Sequence, residues 1–111
     1  MDKNWAEAAI LELREGRSVQ LQAFGNSMRP RILSGSTMTL RPVGGQVAEE
    51  DVVLVDVPGR TTLHKVLQMD EMLVLIGDER GGVDGWVSIE AVHGVVTVIV
   101  PPGKYGVSLS T

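Results

Sequence analysis

Apolar and polar residues alternate along most of this chain. Val19, Leu21 and Ala23 alternate with Gln20, Gln22 and Phe24, a period of two that reads as a strand. The same reading predicts strands over 18–24, 37–41, 51–57, 61–68, 72–76 and 92–100. Turn signals separate them: Gly44-Gly45, Pro58-Gly59, Met69-Asp70-Glu71 and Gly81-Gly82. Pro58-Gly59-Arg60 between two alternating runs predicts a hairpin, and Pro101-Pro102-Gly103 ends the last strand. The period changes near the start. Trp5, Ala9 and Leu13 recur at i, i+4 with Ile10 beside them, which predicts a helix over residues 5–15. Asn4 is its expected N-cap, with Glu7 three residues on, and Gly16 its stop. One solitary helix is too little for a helix-turn-helix and fits an amphipathic helix packed on a sheet.

Many short strands at close spacing predict a mainly β fold. The expected architecture is a coiled β-barrel or sandwich of short antiparallel strands with one N-terminal α-helix. Three parts are expected: the helix over 1–16, the β domain over 17–103 and a C-terminal tail over 104–111. There is no internal repeat and no long linker.

Composition narrows the function. The chain has 111 residues, enough for one core. Aromatic residues make up only 4%, and the recurrent valine and leucine suit a small β-rich interior. The formal net charge of −4 argues against a nucleic-acid partner, which usually meets a cluster of lysine and arginine. No cysteine is present, so a disulfide, a thiolate nucleophile and a cysteine zinc site are excluded. His64 and His93 do not form a cluster with metal-ligand spacing, and neither a metal nor a cofactor is expected. No apolar stretch is long enough to span a membrane, and the start lacks a signal-peptide pattern. A chain without a membrane anchor, in the cytoplasm, is the expectation.

Gly25-Asn26-Ser27-Met28-Arg29-Pro30 carries the candidate chemistry. Gly25 breaks the preceding strand and permits a tight turn. Pro30 fixes its own φ and biases Arg29 away from helix. A turn serine is by itself most often structural. One held this way, with its hydroxyl exposed, can serve acyl transfer if a base lies nearby. Strand 61–68 offers two bases, His64 and Lys65, and alternation sends them to opposite faces. Only one of them can face Ser27 without a bulge. Histidine has an ordinary pKa of about 6.5 and suits the role as it stands. Lysine needs its pKa lowered to roughly 7–8 by desolvation, which Leu63 and Leu67 could supply to Lys65.

Further segments follow in a telling order: Asp51-Val52-Val53-Leu54-Val55, Leu63-His64-Lys65-Val66, Ile76-Gly77-Asp78-Glu79-Arg80 and His93-Gly94-Val95-Val96. With Gly25-x-Ser27-Met28-x-Pro30, this series resembles the signal peptidase I and LexA-like serine peptidase superfamily over roughly residues 17–100. That family has a Gly-x-Ser-Met-x-Pro nucleophile box, a Lys-Arg-Val or His-Arg-Val base box, and a Gly-Asp box. The resemblance implies hydrolysis of peptide bonds in a peptide or protein substrate, with Ser27 as nucleophile. It implies His64 as general base, in the manner of the histidine-type members, with Lys65 as the alternative. Asp78, in the Gly-Asp box, is implied as part of the scaffold near the site, and Asp84 as the carboxylate that completes a triad. The Ser27 N–H, helped by Asn26, is the expected oxyanion hole, and Met28 an apolar wall.

The chain also departs from the family. Gly35-Ser36 and Glu50-Asp51 stand where Gly-Asp pairs are usual. No Ala-Gly dipeptide precedes Ser27, so the self-cleavage bond of LexA-type repressors is missing. The alternative expectation is therefore a catalytically inactive β module that binds a protein partner, perhaps as a homodimer.

Overall fold

The computed structural model describes residues 4–44 and 46–103. A single α-helix, α1 (Asn4–Arg14), precedes seven strands. These are β1 (Val19–Gln22), β2 (Thr37–Pro42), β3 (Val52–Val57), β4 (Arg60–Asp70), β5 (Leu73–Gly77), β6 (Val83–Ser88) and β7 (Val92–Val100). A one-turn 3₁₀-helix, Ile89–Ala91, joins β6 to β7. All strands lie in one curled antiparallel sheet with the order β1-β2-β7-β3-β4-β5-β6. The mainly β architecture with one N-terminal helix is as the alternation predicts. The assigned tail, 104–111, lies outside the described residues, as does the side chain of Asn4, the expected cap.

Burial follows from curling. The run Val52-Val53-Leu54-Val55 of β3 is buried on both faces, because other elements cover both sides of this central strand. On one face, Val52 and Leu54 join Met38 and Leu40 of β2, Met28 and Ile32 of the β1–β2 loop, and Ala6, Ala9 and Leu13 of α1. The apolar stripe read at i, i+4 therefore packs on the sheet. On the other face, Val53 and Val55 join Val66, Val74, Ile76, Val92 and Val95. Four register shifts help the sheet bend, one each between β2 and β7, β3 and β7, β4 and β5, and β5 and β6.

One strand was not predicted. Residues 83–88 read as loop after Gly81-Gly82, with Asp84 in it; they form the edge strand β6 instead. The alternation there is broken by a bulge. Ile76 pairs with Gly85, and the next residue, Gly77, pairs with Val83. Asp84 is thus the extra residue, without a partner across the ladder.

Candidate active site

The long loop between β1 and β2 carries Ser27. Gly25 adopts φ +102°, a left-handed conformation that turns the chain out of β1. Its N–H donates to Ser34 Oγ at 3.2 Å, which ties the two ends of the loop. Arg29 N–H donates to the Asn26 carbonyl at 3.1 Å, and the Arg29–Pro30 peptide is cis. Met28 is buried and anchors the turn in the core, so the turn holds Ser27 half-buried at the surface. From the far side, Glu79 N–H donates to the Ser27 carbonyl at 3.1 Å.

His64 reaches this serine across 37 positions of sequence. Its Nε2 lies 3.0 Å from Ser27 Oγ. Its Nδ1 lies 2.5 Å from Asp84 Oδ2. The imidazole side chain is only 5% exposed and the carboxylate 13%. With Asp84 ionised, Nδ1 carries the proton and donates, which leaves Nε2 free to accept from the serine hydroxyl. Arg60 completes the row: its guanidinium donates to Asp84 Oδ1 at 2.8 Å. Sequence reasoning missed Arg60. The available signal was its spacing, since 60 and 64 are an even number apart on one strand and so share a face.

The other candidates are placed differently. Lys65 points away from His64's side of β4. Its ammonium is 3.3 Å from Glu79 Oε2 and 3.5 Å from Glu50 Oε1. Glu79 also faces Arg31 of the nucleophile loop at 3.6 Å, so this charge cluster braces the loop from behind. Asp78 makes no hydrogen bond to Ser27 or His64; its Oδ1 accepts from Arg80 N–H at 2.8 Å and Gly82 N–H at 2.7 Å. Burial pushes the Asp78 carboxyl up. The two backbone donors and the nearby His64 and Arg80 outweigh this and hold it below the usual value. The backbone N–H groups of Asn26 and Ser27 donate to no partner among the described residues.

A cavity of about 170 Å³ opens beside Ser27, lined also by Trp5 of α1 and Thr62 and Leu63 of β4. Among the described residues no group of three or more His, Asp or Glu side chains could hold a metal ion. None of the described helices is long and apolar enough to cross a membrane.

A hydroxyl, an imidazole and a carboxylate linked in this order form the constellation of serine hydrolases, which recurs on unrelated folds. The chain belongs to the Peptidase S24-like family, whose model matches residues 2–80. That match takes in Ser27 and His64 and ends before Asp84. Comparison with curated proteins and with solved structures gives no match.

Proposed function

We propose that this protein is a serine peptidase in which Ser27 attacks the peptide carbonyl and His64 is the general base. The observation that carries the reading is the unbroken hydrogen-bonded row from Ser27 Oγ through His64 to Asp84. In acylation a bond forms between Ser27 Oγ and the carbonyl carbon, and the hydroxyl proton passes to His64 Nε2. The imidazolium gives that proton to the leaving amine as the C–N bond breaks. Water then takes the amine's place, loses its proton to His64 and releases the acid. Asp84 fixes the tautomer and stabilises the imidazolium, while Arg60 holds Asp84. The unpaired N–H groups of Ser27 and Asn26 offer the donors for the oxyanion. Family membership points to protein or peptide substrates. Lys65, committed to two carboxylates, takes no proton in this scheme.

The test needs no natural substrate. A fluorophosphonate probe should label wild-type protein at Ser27, and Ser27→Ala should remove the label. The rate should fall on the acid side as the imidazole takes up a proton. His64→Ala should lower the rate by a factor on the order of 10⁴–10⁶, and Lys65→Ala should leave the acid limb in place. No labelling at any pH would make the chain a binding module that keeps the fold. An acid limb that outlives His64→Ala and vanishes with Lys65→Ala would move the base to the lysine.

A further inference from the structure

The cavity beside Ser27 has a shape and chemistry of its own. Its floor is apolar, built from Met28, Ile32 and Met38, all buried. Trp5 of α1 forms part of its wall. Phe24, 65% exposed, is an apolar ring on its lining that other parts of the fold leave uncovered. The lining holds no charged residue; its polar side chains are Ser27, Gln22 and Thr62. His64 and Asp84 are absent from the lining. The cavity and the imidazole therefore adjoin Ser27 separately.

That arrangement orients a substrate. The leaving amine must receive its proton from His64 Nε2, so the leaving side of the scissile bond faces the imidazole. The acyl side then faces the cavity. Its first side chain is the group within reach, since it branches one bond from the attacked carbonyl. We infer that the cavity is a specificity pocket for a medium-to-large apolar side chain on the residue that donates the acyl group. This inference rests on the proposed role of Ser27. Volume sets the class: apolar cavities of about 150 Å³ accommodate benzene. At about 170 Å³ the pocket suits leucine, methionine or phenylalanine. Alanine leaves most of it empty. Aspartate or lysine would bury a charge there without a partner, which costs far more than the contacts return. The N-terminal helix is thus part of the recognition surface through Trp5.

The experiment compares peptide-like diphenyl phosphonates that differ only in this side chain: Ala, Leu, Phe, Asp and Lys. In each, Ser27 Oγ bonds to phosphorus, phenoxide leaves, and the hydroxyl proton passes to His64. Adduct formation is followed by intact mass, with Ser27→Ala as the blank and a fluorophosphonate without a side chain as reference. Leu and Phe probes should react at least about tenfold faster than Ala, since each methylene in such a pocket contributes about tenfold or more. Asp and Lys should be no faster than Ala. Trp5→Ala should shift the preference toward larger groups such as naphthylalanine. Phe24→Ala, at an exposed position, gives a second variant that should fold; it should slow Leu and Phe probes and spare Ala. Labelling by the fluorophosphonate with equal rates across the panel overturns the pocket assignment alone. No labelling by any probe overturns the serine peptidase reading and the pocket with it.

Discussion

The carboxylate of Asp78 accepts two backbone N–H groups and closes the loop whose next residue, Glu79, holds the Ser27 carbonyl. Its folded-state pKa lies below the usual value, so its stabilising effect is complete above the unfolded carboxyl pKa of about 3.9. It is lost as pH falls through the lower folded value. Asp78→Asn should therefore be less stable than wild type near pH 7, and the gap should close below about pH 4. Urea titrations of both proteins from pH 7 to pH 2 measure it; a gap that stays constant would show that the charge is irrelevant. At this scale the sequence was most legible where a residue type is chemically rare. Ser27 sits in a turn bounded by Gly25 and Pro30, and His64 is one of two histidines. The choice between His64 and Lys65 follows from alternation alone, once the face toward Ser27 is known. Arg60 was not legible because its partner, Asp84, is 24 positions away on a strand without a clear signal.

Strand β6 shows why. Only Val87 of this edge strand packs against the adjoining apolar cluster, and Asp84 is squeezed out of the ladder opposite Ile76 and Gly77. A bulge inserts one residue and re-aims its side chain, which erases the period of two at the position that matters. Gly85, next in the chain, has φ +120°, a conformation that other residues reach only with strain. An alanine there meets no steric obstacle, so its cost is conformational, about 1–3 kcal/mol. Relaxing that strain would flatten the bulge and draw Asp84 from the imidazole. Gly85→Ala should thus slow acylation of Ser27 by roughly tenfold to a hundredfold, the scale of an ångström of misplacement. Asp84→Asn, which leaves the backbone alone but spoils the tautomer, should slow it more. Both rates come from the phosphonate assay beside a urea curve. Lost stability with an unchanged rate in Gly85→Ala would mean that the bulge does not aim Asp84. The longer strands, by contrast, were legible because valine and leucine alternate through them with clear turns between.

Across the whole molecule, the site straddles two apolar clusters that share β3. Met28 and Ile32 seat the nucleophile loop in the cluster under α1. His64 lies opposite Val53 in the ladder, a residue of the other cluster. The Ser27–His64 hydrogen bond therefore reports how the two halves of the interior are held together. Sequence alternation could not reveal this, because a strand buried on both faces shows a continuous apolar run, Val52 to Val55, and not which elements cover each side. The two clusters should contribute independently to stability if β3 acts as a wall between them. Val52→Ala, in the first, and Val74→Ala, in the second, each remove two methyl groups from fully buried positions. The transfer loss is about 1.6 kcal/mol, and the cavity left behind brings each to about 2–3 kcal/mol. Independent clusters make the double variant lose the sum to within about 0.5 kcal/mol. A urea double-mutant cycle measures this, and a coupling above about 1 kcal/mol would show that the two faces of β3 respond as one packing unit. In that case a change far from Ser27, on the side of Val74, would also be felt in the nucleophile loop through the strand that carries His64.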